Sequence, residues 1–179
     1  MASDNSSRFP AGRTALVIKV PEAEPLVGAW RQRFDPAMEA GVPAHVTVLY
    51  PFLDRERIDV REVEALEEVF GAHAAFDLSF HQCGRFPDLL YLAPEPTGGL
   101  RALTSAVADR WPEAPPYGGR YADVVPHLTV AYSPDPSVFN TIEADLTAGL
   151  PVVARVSSVQ LVVSDGEKWH NAETFSLRG

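Results

Sequence analysis

The chain has little capacity for thiol chemistry, because Cys83 is its one cysteine among 179 residues. A single thiol rules out a disulfide framework within the chain and a metal site built on paired cysteines. No apolar run approaches the length needed to cross a bilayer, and the polar first residues lack the apolar core of a signal peptide. We therefore expect a cytoplasmic protein that does not bind membranes.

Positive charge is also scarce, since 15 Lys and Arg residues stand against 24 Asp and Glu residues, for a formal net charge of −9. Broad binding of long nucleic acid normally requires a basic surface, so that class of function is disfavoured. A small phosphate-bearing substrate in a locally basic cleft remains compatible with this charge. The chain also lacks a Gly-rich phosphate loop, and we expect neither ATP nor any other cofactor.

The pattern of apolar residues predicts one α+β domain over residues 13–179, after a flexible tail over residues 1–12. Strands and helices alternate in two similar sequence halves of the βαβαβ type, about 13–93 and 94–179. If the halves fold with twofold pseudosymmetry, they form two lobes of largely antiparallel sheet, with helices outside and a central cleft. We expect the domain to be a monomer.

Several predicted elements bear directly on the location of a site. The stretch Pro112–Pro126 is rich in Pro and Gly and has no periodicity, which is typical of a functional loop. Further predicted elements are strands at Ala75–Phe80 and Leu89–Leu92 around a loop that holds Cys83, Gly84 and Arg85, helices capped by Asp59 and Ser137, and final strands at Val152–Val163 and Thr174–Arg178.

A repeated motif is the clearest feature of the sequence. HVTVLY begins at His45 and HLTVAY begins at His127, about half the chain later. Side chains alternate between the two faces of a strand, so each histidine shares a face with its motif threonine, Thr47 or Thr129. A structural role would not require the polar pair to be repeated, and the repetition therefore indicates a functional site.

The same alternation makes a prediction for the other residues of the two motifs. Leu49 and Ala131 should share the face of the histidines, while Tyr50 and Tyr132 should point away from them into the core.

Paired His-x-Thr strands in a duplicated α+β chain resemble the 2H phosphoesterase superfamily, which includes 2′-5′ RNA ligase-like proteins and cyclic nucleotide phosphodiesterases. The segments HVTVLYPF, RFPDLLYLAPEP at 85–96, PPYGG at 115–119 and the terminal GEKW…TFSL also fit. The resemblance implies a metal-independent enzyme in which His45 and His127 are the acid–base pair and Thr47 and Thr129 bind phosphate. The implied substrate is a small nucleotide or RNA end that carries a 2′,3′-cyclic phosphate or a 2′-5′ linkage.

Other side chains are candidates for substrate binding. Arg85 and Arg120 are suited to neutralising phosphate. Tyr117 and Tyr121, in the long loop, and Trp169 are suited to stacking on a base. Phe86 and Tyr91 are also able to stack, but the apolar strand around Tyr91 favours a core position.

Three alternatives stay open at this stage. A zinc site on His45 and His127 would need a third ligand, which no His-x-x-x-His pattern or cysteine pair supplies. A noncatalytic nucleotide- or RNA-binding module on the same fold is a different class of function, although intact His and Thr in both motifs favour the enzyme. A scaffold with a vestigial site is the third. The sequence does not indicate which histidine is the base, or whether the reaction runs as hydrolysis or ligation.

Overall fold

The computed structural model describes residues 8–179 and contains one curled, eight-stranded sheet with helices. Neighbouring strands pair antiparallel throughout, in the order β6-β3-β4-β5-β2-β1-β7-β8. This confirms the predicted α+β class. The strands are Thr14–Lys19 (β1), His45–Leu49 (β2), Phe76–Phe86 (β3), Leu89–Glu95 (β4), Leu128–Tyr132 (β5), Val152–Val156 (β6), Ser158–Ser164 (β7) and Trp169–Ser176 (β8).

The helices begin where short polar side chains or prolines allow them to. Asp59 caps its helix as predicted, because its carboxylate accepts from the Arg61 N–H at 2.7 Å. The prediction that Ser137 caps a later helix is wrong. Asp135 caps that helix through the Ser137 N–H at 2.9 Å, since Pro136 is preorganised for the first helical position. The helices are Glu24–Phe34 (α1), Pro36–Glu39 (α2), Val60–Gly71 (α3), Gly98–Arg110 (α4) and Pro136–Thr147 (α5).

The sheet divides into two four-stranded lobes that meet at its centre. Lobe 1 is β2-β1-β7-β8 and lobe 2 is β5-β4-β3-β6, and β2 and β5 are joined by the single register pair Val46↔Leu128. Helices α3 and α4 pack on lobe 1, whereas α1 packs on lobe 2. Each lobe takes strands from both sequence halves, so a boundary near residue 93 does not separate the lobes.

The two faces of the sheet differ in character. The helix face is apolar, with Leu16, Val46, Leu128 and Leu161 all at most 1% exposed among the residues of the helices. Burying an aliphatic side chain of this size contributes about 1.5–3 kcal/mol, so these residues fix which face packs on the helices. The opposite face carries both motif histidines, and we refer to it as the motif face.

Three predicted boundaries in this sheet are wrong. Cys83, Gly84 and Arg85 lie within β3, because that strand continues to Phe86 and turns only at residues 87 and 88. The predicted strand Val152–Val163 is two strands, β6 and β7, which belong to different lobes; the chain crosses between them at Ser157. The last strand begins at Trp169 rather than Thr174.

The predicted tail over residues 1–12 lies partly outside the described residues, which begin at Arg8. Within the described part, the ring centroid of Phe9 lies 5.4 Å from that of Trp169, and the Ser164 hydroxyl donates to the Phe9 carbonyl at 2.8 Å. Gly12 N–H donates to the Ser164 carbonyl at 2.8 Å. Residues 8–12 therefore pack against lobe 1. None of the helices in residues 8–179 is long and apolar enough to cross a membrane.

Candidate active site

The two motifs lie side by side on the central strands β2 and β5. Val46 pairs with Leu128, so one step along each antiparallel strand places His45 beside Thr129 and Thr47 beside His127. His45 and His127 are also close enough for the charge of His127 to lower the pKa of His45. The structure thus brings together the four side chains of both motifs, His45, Thr47, His127 and Thr129, which we call the motif quartet.

Both imidazoles are oriented by the same local hydrogen bond. His45 Nδ1 lies 2.8 Å from the Pro43 carbonyl oxygen, and His127 Nδ1 lies 2.8 Å from the Val125 carbonyl oxygen. A carbonyl only accepts, so Nδ1 carries the proton in each ring. In the neutral form, Nε2 of each histidine is therefore the atom left to accept a proton.

Burial favours the neutral form of both rings. It lowers the pKa of His45 to about 4, with the positive charge of Arg31 and the neighbouring His127 acting in the same direction, against the Pro43 carbonyl and Asp35. Burial also lowers the pKa of His127, opposed by the hydrogen bond to Val125. The two imidazoles interact, and His45 lies in the more strongly desolvating surroundings.

A matched irregularity follows the threonine in each motif. In the β1–β2 ladder Val17 pairs with Thr47 and Leu16 with Leu49, which leaves Val48 as an extra residue. In the β4–β5 ladder Thr129 and Ala131 pair with successive residues of β4, which leaves Val130 as the extra residue. Each motif therefore contains a bulge, and a bulge resets the alternation of side chains beyond it.

The bulges overturn the predicted orientation of the residues that follow them. Leu49 and Ala131, predicted beside the histidines, are fully buried in the core of the helix face. Tyr50 and Tyr132, predicted to enter that core, lie on the motif face instead. Tyr132 is 38% exposed, and the ring of Tyr50 packs on that of Trp169 with centroids 6.3 Å apart.

A tyrosine hydroxyl lies near each motif threonine: Thr129 acts to lower the pKa of Tyr132, and Thr47 acts to lower that of Tyr117. Burial raises the pKa of Tyr117 to about 12 and raises that of Tyr132. Both phenols are therefore protonated at neutral pH and are available as hydrogen-bond donors beside the quartet.

Replacing Tyr132 with phenylalanine tests this assignment. Tyr132→Phe removes one hydroxyl beside Thr129, and we expect the rate of the enzyme to fall about two- to tenfold, which corresponds to one lost hydrogen bond. Tyr50→Phe is the matched control, because Tyr50 occupies the same place in the first motif but packs on Trp169. Steady-state kinetics of both variants would show it, and equal effects would contradict the role of Tyr132.

The predicted loop Pro112–Pro126 reaches the quartet through Tyr117. The Tyr117 N–H donates to the Tyr50 carbonyl at 2.6 Å, and its ring centroid lies 5.8 Å from that of Tyr121. Tyr117 adopts φ 51°, a left-handed conformation that costs a non-glycine residue about 1 kcal/mol or more. Arg120 N–H donates back to the Tyr117 carbonyl at 3.3 Å. The loop therefore borders the site; its mobility stays a prediction.

An aromatic shelf, formed by Phe86 and Tyr91, stands beside His127. The two ring centroids are 4.7 Å apart, and they lie 5.3 Å and 5.6 Å from the His127 ring. Tyr91 is thus on the motif face and not in the core. Gly84 permits this placement, because a Cβ atom there would come within 2.4 Å of the Tyr91 ring.

A buried ionic cluster near His45 was not predicted from the sequence. Arg31 is fully buried, pairs with Asp35 at 2.9 Å and donates to the Val42 carbonyl at 3.0 Å. Glu24 accepts from the Ala44 N–H. These bonds hold the peptide groups on both sides of Pro43, whose carbonyl orients His45. The i,i+4 spacing of Arg31 and Asp35 is visible in the sequence, but such a pair is usually solvated, and nothing local indicates that this one is buried.

Two predicted substrate-binding residues do not face the quartet. Arg85 points to the helix face, where it donates to Glu143 at 2.8 Å and to Asn140 at 2.8 Å, because β3 continues as a strand at this point. Trp169 is 9% exposed and is covered by the rings of Phe9 and Tyr50. Neither side chain is therefore free to contact a substrate bound at the quartet.

The remaining candidates, Tyr121 and Arg120, lie in the loop near the site. Tyr121 is 57% exposed and Arg120 is also exposed. Among residues 8–179, no group of three or more His, Cys, Asp or Glu side chains is placed to hold a metal ion.

Comparison with known proteins places this fold. The profile of the 2′-5′ RNA ligase superfamily matches residues 19–168. No curated protein matches the chain significantly. Among solved structures, E. coli LigT complexed with 3′-AMP is similar with TM-score 0.60 and 18% identity, covering 94% of this chain and 99% of LigT. TT0787 of Thermus thermophilus is similar with TM-score 0.56 and 22% identity, covering 93% and 98% of the two chains. The profile match extends over most of the chain, which therefore belongs to the 2′-5′ RNA ligase superfamily of 2H phosphoesterases.

Proposed function

We propose that this member of a phosphoesterase superfamily cleaves or forms a phosphodiester at the motif quartet without a metal ion, on a 2′,3′-cyclic phosphate or a 2′-5′ linkage. The observation that carries the proposal is the register of β2 and β5, which sets each histidine beside the threonine of the other motif. One phosphate group seated there would meet two imidazoles and two hydroxyls. This is a complete set of groups for acid–base catalysis with stabilisation of the phosphoryl oxygens.

The tautomers suggest how protons move. For a 2′,3′-cyclic phosphate, the neutral histidine takes a proton from water at Nε2 while the water oxygen bonds to phosphorus. The bond from phosphorus to one ribose oxygen breaks, and the protonated histidine donates its Nε2 proton to that departing oxygen. In the ligation direction a ribose hydroxyl replaces the water. Thr47 and Thr129 donate to the non-bridging oxygens, where negative charge accumulates.

The asymmetry of the surroundings supports His45 as the base in hydrolysis. Burial and the Arg31 charge keep the pKa of His45 the lower, at about 4, so this ring is neutral and ready to accept a proton. His127 is free of the buried ionic cluster and takes the role of acid. The aromatic shelf of Phe86 and Tyr91 beside His127 offers a stacking surface for a nucleobase.

The pH dependence follows from these shifts. The base must be neutral and the acid protonated, and in the free protein both histidine pKa values lie below their ordinary value of 6.5. We expect kcat/KM to peak on the acid side of neutrality. On the alkaline side, kcat/KM should fall as the pH rises above the pKa of His127, because the acid loses its proton. On the acid side, kcat/KM should fall as the pH approaches the pKa of His45, because the base gains a proton.

The profile of kcat should peak at a higher pH than that of kcat/KM. A bound phosphate anion stabilises both imidazolium forms and so raises both pKa values in the complex. Initial rates across the pH range give both profiles, whose limbs belong to the coupled pair. A kcat/KM that is flat through neutrality or highest at alkaline pH would contradict the acid–base pair.

Chelation tests the metal-free mechanism. The enzyme should turn over 2′,3′-cyclic nucleotides or 2′-5′ dinucleotides at the same rate with and without EDTA, because the imidazoles supply both proton transfers. Loss of turnover in EDTA, with recovery on addition of zinc or manganese, would show that the histidines are ligands. Tight binding of these nucleotides without turnover of any of them would favour the noncatalytic nucleotide-binding module instead.

A further inference from the structure

The motif face of lobe 1 is apolar towards Trp169 and polar at the end next to His45. This polar end is formed by Gln160, Asn171 and Thr174, which lie on the same side of the sheet as His45. Gln160 pairs with Thr174 across β7 and β8, whereas Asn171 pairs with Val162. No Asp or Glu occupies a motif-face position on β1, β2, β7 or β8, although the chain has 24 of them. Such a surface is suited to an anionic ligand.

Among the motif-face positions of β1, β2, β7 and β8, all of them described, Lys19 is the one that carries a Lys or Arg. It pairs with His45 in the β1–β2 ladder, so the two side chains project from adjacent positions on the motif face. The Lys19 Nζ donates to the Asn171 side-chain oxygen at 3.3 Å, and the backbone N–H of Lys19 donates to the Gln160 side-chain oxygen at 3.3 Å.

The charge of Lys19 is not neutralised by a carboxylate. None of the salt bridges among residues 8–179 includes Lys19. The carboxylate that acts on His45 from α1 and α2, that of Asp35, is already paired with Arg31. An ammonium whose side-chain partner is a neutral amide is available to exchange that partner for a phosphate.

We propose that Lys19 binds a second phosphate of the substrate, the one on the 5′ oxygen of the nucleoside whose 3′ phosphate reacts at the motif quartet. The two flanks of the quartet then divide the substrate: the aromatic shelf beside His127 takes the base, and the polar surface beside His45 takes the additional phosphate. The inference rests on the proposed function and narrows the substrate to RNA ends or nucleotides that carry at least two phosphates.

Binding measurements test the proposal without requiring turnover. Isothermal titration calorimetry would compare adenosine 3′-monophosphate, adenosine 3′,5′-bisphosphate and a 3′-phosphorylated diadenylate. The last two place a phosphate at the same 5′ oxygen, as a terminal monoester and as an RNA linkage. We expect one or both to bind about tenfold more tightly than the monophosphate, as for one charge-assisted hydrogen bond, and the stronger of them identifies the source of the phosphate.

Three variants make the test specific. Lys19→Met keeps the aliphatic stem and should abolish the tenfold gain while leaving affinity for the monophosphate unchanged. Asn171→Asp should do the same by supplying a competing carboxylate. Lys168→Met, which alters the other lysine of the chain, should retain the gain.

Two results would overturn the subsite: no gain from the second phosphate in the unaltered protein, or an equal loss for all three nucleotides in Lys19→Met. A protein that shows the expected preference but turns over no cyclic phosphate or 2′-5′ linkage would contradict the proposed function and leave the subsite standing.

Discussion

Replacing either His45 or His127 with alanine should lower kcat/KM by roughly a hundredfold to ten-thousandfold, the usual range for loss of one general acid or base. The register of β2 and β5 presents both imidazoles to one phosphate, so neither ring is able to substitute for the other. In each variant the nucleotide should still bind, because the threonines and the aromatic shelf remain. Kinetic measurements with the 2′,3′-cyclic nucleotide or 2′-5′ dinucleotide that is turned over fastest, together with nucleotide titrations, would separate the loss of rate from any loss of binding.

The double variant gives a sharper result than either single change. His45→Ala with His127→Ala should lose far less than the product of the two single factors, since either loss alone already disables the concerted route. His170→Ala is the matched control: His170 is exposed and pairs with Asp165 at 2.6 Å, at the start of β8. Full activity in both single variants, or a purely multiplicative loss in the double variant, would contradict a shared acid–base mechanism.

Local patterns in the sequence were sufficient to predict the elements that carry the site. Alternation of polar and apolar residues within HVTVLY at His45 and HLTVAY at His127 predicted two strands with the histidine and threonine on one face, and the structure has strands at His45–Leu49 and Leu128–Tyr132. The repeat of the motif predicted that the two strands act together, and the α+β class followed from the order of elements. All of these signals depend on neighbours within a few residues, which a sequence displays directly.

The features that the sequence did not predict depend on contacts between segments that are far apart in the chain. The bulges at Val48 and Val130 exist only in relation to β1 and β4, so strict alternation placed Tyr132 in the core when it lies on the motif face. Arg85 was predicted to neutralise phosphate, because nothing near it in the sequence indicates its partners on α5, far along the chain. The role proposed for Lys19 depends on its pairing with His45 in the β1–β2 ladder, which no sequence motif indicates.

The buried ionic cluster is the part of the site whose disruption should affect stability most. Asp35 and Arg31 have side chains 1% and 0% exposed, and they pair at 2.9 Å. We expect Asp35→Ala to lower the free energy of unfolding by about 3 kcal/mol or more, because it leaves Arg31 charged and buried without its nearest partner. The variant also loses the cap that Asp35 gives to α2 through the Ala37 N–H. Urea denaturation at neutral pH would measure the loss.

A matched surface pair separates burial from charge. Asp77 and Arg155 lie 3.1 Å apart with side chains 70% and 56% exposed, so Asp77→Ala should cost less than about 1 kcal/mol. Removing both partners of the buried pair, as Arg31→Met with Asp35→Ala, should restore part of the stability, since no buried charge is then left unpaired. An Asp35→Ala variant no less stable than Asp77→Ala would show that Arg31 finds water or another partner.

Comparison of the Arg31→Met, Asp35→Ala double variant with Asp35→Ala also links stability to catalysis. Arg31 and Glu24 hold the peptide groups on either side of Pro43, and the Pro43 carbonyl fixes the tautomer of His45. The Arg31→Met, Asp35→Ala double variant should therefore fold more stably than Asp35→Ala and still turn over substrate more slowly than the unaltered enzyme. Its acid limb should also shift to higher pH, because removal of the Arg31 charge raises the pKa of His45 by more than loss of Asp35 lowers it. Recovery of stability without recovery of rate would identify the cluster as a device that positions the base, whereas recovery of both together would reduce it to a structural ion pair.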